Sequence, residues 1–150
     1  MAHNVISVAN KIVSLSRHDV GDLISNLKLQ KLLYYVQGFH LAIHNTPIFN
    51  EDICAWQFGP VVPEAYHHFK KYGAGHIEIG KDDFEKYYID FSDAEKGLIC
   101  DVWDAYGHYS AYILMEFTHN EPPYKATKPQ QVITHDKLKA FFITQIEEIA

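Results

Sequence analysis

Only two cysteines occur in the 150 residues, Cys54 and Cys100, and they lie far apart. They form no CxxC pair, and the chain carries no sign of export, so they read as reduced structural thiols. No run of ~18 apolar residues is present, so no membrane-spanning helix is expected. The N-terminal Met1-Ala2-His3-Asn4 lacks the basic stretch followed by an apolar block that marks a secretory signal. There is no Gly/Ser linker, no internal repeat and no low-complexity tract. Positive charge is also scarce: 13 Lys and Arg stand against 19 Asp and Glu, a net charge of -6 with neutral His. An acidic domain gains nothing from neutralising phosphates, so no nucleic-acid partner is expected. These absences leave one globular domain over residues 1–150, expected in the cytoplasm, with no membrane partner.

Aromatics and histidine are abundant: 10 Tyr, 9 Phe, 2 Trp and 10 His. Aromatic side chains supply large contact area at low entropy cost, in cores and in interfaces alike. A chain of this length buries ~68–70% of its unfolded surface and needs no metal or disulfide to fold.

The apolar spacing predicts a mostly α domain, a compact bundle of about six helices with a small β element near residues 47–58. Val5, Val8, Ala9, Ile12 and Leu15 mark a helix over 3–17. The pattern is strongest over 27–44, where Leu29, Leu32, Leu33, Val36, Phe39, His40 and Ile43 share a face. Tyr34, Tyr35 and Leu41 lie elsewhere around it, which makes this helix central. Residues 47–58 switch to alternation and predict a short strand, half of a hairpin, before Gly59-Pro60 breaks the chain. Pro63 opens a helix that Gly73 stops. Residues 76–90 are read as short edge strands or irregular chain. Ser92-Asp93-Ala94-Glu95 is a capping box for a helix ending at Gly107. Ser110 caps the next, Pro122-Pro123 forces an extended segment, and a last helix covers 134–149.

Catalytic motifs are weak. His40 and His44 stand at i, i+4, a metal-competent spacing, but Leu41 occupies the place where a metalloprotease helix has Glu. No Cys or third His is in register to complete a tetrahedron, so no metal and no other cofactor is expected. Gly75 to Lys81 has the Gly and Lys spacing of a phosphate loop but is followed by Asp82, not Ser or Thr, and reads as a chance match. No G-x-S-x-G elbow is present.

Three features suggest contact with a partner. Gln30, Gln37 and His44 recur at heptad spacing and form a polar stripe beside the apolar face. Gln57 and Phe58 sit in a rigid segment that also holds Trp56, Gly59, Pro60 and Pro63, which read as the structural frame of a turn. His119, Glu121 and Tyr124 cluster around Pro122-Pro123. In the structural reading His119 caps a helix; in the functional one it pairs with Glu121 as an acid–base or binding group.

Leu27-Lys28-Leu29-Gln30-Lys31-Leu32-Leu33-Tyr34-Tyr35, Gly38-Phe39-His40-Leu41-Ala42, Pro47-Ile48-Phe49 and Ala55-Trp56-Gln57-Phe58-Gly59-Pro60-Val61-Val62-Pro63 together closely resemble the Panacea, or SocA-like, antitoxin domain, whose members were long labelled phage-associated proteins. Thr118-His119 and Pro123-Tyr124 resemble that family's Thr-His…Pro-Trp signature, with Tyr124 where Trp is usual. The resemblance runs from about residue 3 to 126, strongest over 27–64 and 118–126. It implies an antitoxin that neutralises a cognate toxin encoded nearby by forming a complex with it, with no catalysis. One branch of the family instead implies an adaptor that hands its toxin to a cytoplasmic protease. A small hydrolase using His119 and Glu121 is the reading from a different class.

Overall fold

The computed structural model describes residues 2–16 and 23–150. Helix α1 (Val5–Ser14) starts where Asn4 accepts a hydrogen bond from the Ile6 amide. The long α2 (Asn26–His44) is capped by Ser25 and ends at Asn45 in the left-handed conformation. Strands β1 (Cys54–Trp56) and β2 (Gly59–Val61) form an antiparallel hairpin pairing Cys54 with Val61 and Trp56 with Gly59. Then come α3 (Pro63–Phe69), α4 (Lys81–Lys86), α5 (Asp93–Tyr106), α6 (Ala111–His119), α7 (Pro122–Lys125) and α8 (His135–Phe142). The described residues are thus mostly helical with one small sheet.

Helix α2 is central, packed by α1, α3, α5, α6, α8 and β2. Residues 31–40 are buried all round, as expected for a helix with neighbours on every side. Phe142 of α8 fills the space over Gly38, where a Cβ would stand 2.1 Å from its ring. Phe142 also meets Tyr34, Tyr35 and Phe39 edge-on. The capping box at Ser92 is present, with Ser92 and Glu95 each satisfying the other's amide.

Four local expectations need correction. Gly59-Pro60 does not break the chain but begins the second strand; proline fits there because its carbonyl is the group that is used. Residues 81–86, read as strand or irregular, form α4. Pro122-Pro123 starts a short helix, since prolines in a first helical turn lack only amides that would have no partner there. The last helix stops at Phe142, and Ile146–Glu148 form a separate 3-10 turn.

Candidate functional site

The polar residues of α2 face inward. Gln30 and Gln37 have no exposed surface. The Gln30 side chain accepts from the Val62 amide (2.9 Å) and donates to Asn26 (2.9 Å), which in turn donates to the Tyr66 carbonyl (3.0 Å). Gln37 donates to the Phe49 carbonyl (2.6 Å) and accepts from the Ile48 amide (2.9 Å). A partner-facing stripe therefore does not exist. Two of its three members brace loops that fold back over α2, since a buried amide must be paired. Only His44 is exposed. At ~1.5 Å rise per residue it stands roughly 20 Å along the helix from Lys31, the residue beneath the hairpin. Of the heptad stripe only Gln30 reaches the hairpin, at the Val62 amide just past β2; Gln37 and His44 do not.

The hairpin is pinned from below and from the side. Lys31, fully buried, donates to the Pro60 carbonyl at 3.2 Å. Gln30 accepts from the Val62 amide just past the hairpin, and the Tyr124 hydroxyl donates to the Trp56 carbonyl at 2.6 Å. Gly59 has φ +108, and a Cβ there would lie 2.8 Å from Lys31 Cε and 3.0 Å from Thr118 Oγ1. The close approach of the turn to α2 and α6 thus requires glycine. Trp56 is half-buried, edge-on to Tyr66 at 5.2 Å. Pro63 occupies the first turn of α3. Held out by this frame are Gln57 and Phe58, with Phe58 56% exposed.

Beside the hairpin, His119 stacks on Tyr124 with ring centroids 4.8 Å apart. It does not cap α6; Asn120 donates to the Glu116 carbonyl instead. His119 Nε2 is buried with no hydrogen-bond partner. Glu121 turns away from it. One carboxylate oxygen accepts from the Tyr34 hydroxyl (3.0 Å), the other from Tyr35 (2.9 Å), and Tyr35 stacks flat on Tyr106. The structure therefore places His119 and Glu121 in separate contacts, not in one acid–base pair. Burial pushes the Glu121 carboxyl up to about 7, against the two tyrosine hydrogen bonds that favour the anion. Burial alone brings the Lys31 ammonium down to about 7. It also raises the Tyr34, Tyr35 and Tyr124 hydroxyls, so all three remain donors.

Sequence reasoning missed Lys31, Tyr34, Tyr35 and Thr118. The signal for the tyrosines was available: a Tyr-Tyr pair on a helix buried all round must find an acceptor for each hydroxyl. The acceptor, 86 and 87 residues away, had no local mark. Among the described residues no three His, Cys, Asp or Glu side chains converge to hold a metal. The Cys54 thiol is pushed up by burial and then by Asp52 and Glu64, the reverse of what an activated thiolate requires. Among the described residues no helix is long and apolar enough to cross a membrane.

The family described as antitoxin SocA-like, Panacea domain, matches residues 29–125, more than half of the chain. Antitoxin SocA of Caulobacter vibrioides (strain NA1000 / CB15N) is 46% identical over 54 residues. That stretch covers 36% of this chain and 29% of the relative, under a third of its length. No solved structure matches the chain. The matched residues include α2 from Leu29 onward, the hairpin with its Lys31, Gly59 and Thr118 neighbours, and the Tyr34–Tyr35–Glu121 contact. By this match the chain belongs to the SocA-like, Panacea-domain antitoxin family.

Proposed function

We propose that this chain is a non-enzymatic antitoxin of the cytoplasm that neutralises a partner toxin by direct complex formation, docking it on the hairpin tip and its flank. The observation that carries this reading is Phe58. It is a large apolar side chain held in water by a turn whose backbone is fixed from α2 and α7. A rigid exposed aromatic loses little entropy on binding, which is what interface anchors supply. Gln57 beside it and the half-buried His119–Tyr124 stack extend the patch. The net charge of -6 would steer a basic partner. His44 lies off this patch and is left out of it.

The test is co-expression with the protein encoded beside it. Phe58→Ala and Gln57→Lys should leave the melting temperature unchanged within about 0.5 kcal/mol of stability, because both side chains are exposed. Each should weaken toxin binding and rescue of growth. Full rescue by both, with binding intact, would refute docking at the hairpin. Toxin level is followed in parallel: a steady level under rescue supports sequestration, whereas a protease-dependent fall would replace complex formation by delivery.

A further inference from the structure

Residues 78–90 cross the outside of α1 without burying a single side chain, while Ile77 before them and Phe91 after them belong to the core. The segment contains α4, which starts without a side-chain cap and has no extensive packing against another helix or strand among the described residues. Its Phe84 and Tyr88 rings are exposed. What holds it down is sparse. The Ser7 hydroxyl donates to the Tyr87 carbonyl (2.5 Å), and the Tyr72 hydroxyl donates to the Glu78 carbonyl (2.7 Å). Asp83 pairs with Lys71 at 3.1 Å and lies 3.6 Å from His68 of α3, and Asp90 pairs with Lys96 at 3.3 Å. Pairs this open to water contribute little. Ile79, Tyr87 and Ile89 rest half-buried on the core. A cavity of about 160 Å³ remains beneath, between the segment and Ser7, Asn10, Lys11 and Ser14 of α1.

Asn10 stands one turn along α1 from the Ser7 tether, on the same face. Both atoms of its amide are shut off from water, and neither has a hydrogen-bond partner among the described residues. Each other buried amide side chain among them, Asn26, Gln30 and Gln37, is bonded through both its nitrogen and its oxygen. An amide buried without partners carries the desolvation cost of its donor and its acceptor. Lifting the segment returns water to that face and removes the cost. The closed arrangement therefore bears a penalty that an open one does not. Few buried contacts, solvent-exposed helical hydrogen bonds and an orphaned amide beneath mark a region that opens far more readily than the core.

We propose that residues 78–90 are a strap that lifts off α1 as one unit while the rest of the domain stays folded, anchored at Ile77 and Phe91, with the unpaired Asn10 amide favouring the open form. Opening uncovers the Ser7–Asn10–Ser14 face of α1. It also releases Asp83 from His68, whose neighbours Tyr66 and His67 meet the Trp56 ring of the hairpin. The strap thus borders the helix against which the hairpin packs. The test is amide hydrogen exchange of the whole chain, followed by NMR at rising urea below the unfolding transition. The Phe84, Tyr87 and Tyr88 amides, bonded to the Gly80, Asp83 and Glu85 carbonyls, report on the strap. Leu33 and Val36 of α2 report on the core. The strap amides should be at least about a hundredfold less protected and nearly insensitive to urea, while protection of the core amides falls steeply. Asn10→Leu has no amide to hydrate. It should raise strap protection at least about tenfold and melt no lower than the parent. Ser7→Ala removes the tether and should lower strap protection about fivefold with the core still folded. A helix that merely frays, indifferent to α1, would answer to neither variant. The proposal is overturned if strap and core amides respond to urea alike, if Asn10→Leu leaves strap protection unchanged or lowers it, if that variant melts below the parent, or if Ser7→Ala leaves the strap as protected as before.

Discussion

Replacing Lys31 by methionine should stabilise the protein at neutral pH and destabilise it at high pH. Lys31 has no exposed surface, and among the described residues no carboxylate pairs with it; its ammonium donates to the Pro60 carbonyl at 3.2 Å. Burial takes its proton affinity from the ordinary 10.5 down to about 7. The folded chain therefore binds fewer protons than the unfolded chain between those two values. Stability is lost as pH falls through that window and recovered as pH rises through it. At about 1.36 kcal/mol per pH unit, the penalty at pH 7 is of the order of 5 kcal/mol. Methionine is unbranched, one heavy atom shorter than lysine, and carries no charge. It leaves the Pro60 carbonyl without its donor, at a cost of ~1–3 kcal/mol. The net expectation is a gain of about 2–4 kcal/mol at pH 7, reversing to a loss of about 1–3 kcal/mol once the parent lysine is neutral in both states. Urea unfolding of both chains from pH 6 to 10.5 measures this, and groups common to the two cancel in the difference. The stability curves should cross between about pH 8 and 10. A methionine variant less stable than the parent at pH 7, with the two curves parallel, would mean that Lys31 is charged and well paired in the native state, and would refute the reasoning. The same variant lacks one hairpin anchor, so weaker partner binding despite higher stability is expected.

Glu121 has the opposite sign. Its raised folded value of about 7 means that its contribution is present below about 4.5 and lost as pH rises through 7. Glu121→Gln should therefore exceed the parent by about 1–3 kcal/mol at pH 8 and match it near pH 4 in thermal melts. Gly38→Ala places a Cβ 2.1 Å from the Phe142 ring and should cost about 1–3 kcal/mol, read as a lower melting temperature. Trp56→Ala should cost about 1–3 kcal/mol in urea unfolding, below the ~3–5 kcal/mol of a fully buried aromatic, because Trp56 is half-buried and its hydrogen bond to Tyr124 uses the backbone carbonyl.

What the sequence shows of this fold is what local chemistry controls. The 27–44 helix, the Ser92 capping box and the Pro63 helix start each depend on residues within a turn of one another, and each stands where expected. The errors fall where a distant partner decides. Gln30 and Gln37 look like a surface stripe because a heptad of polar side chains usually faces water. Their actual partners are the backbone groups of Val62, Ile48 and Phe49, brought over α2 by loops with no periodicity. Phe58 could be named from the turn, but its rigidity could not, because the supports at Lys31, Thr118 and Tyr124 come from three separate helices. The same division separates His119 from Glu121. Two residues apart in sequence, they diverge because Tyr34 and Tyr35 require an acidic acceptor in the interior while Tyr124 offers His119 a ring to stack on. Gln30 and Lys31 of α2 thus act as the struts of the hairpin. A change there should reach the partner through the position of Phe58 without touching the binding surface, so Lys31→Met moves stability and recognition in opposite directions, where a substitution at Phe58 itself changes recognition alone.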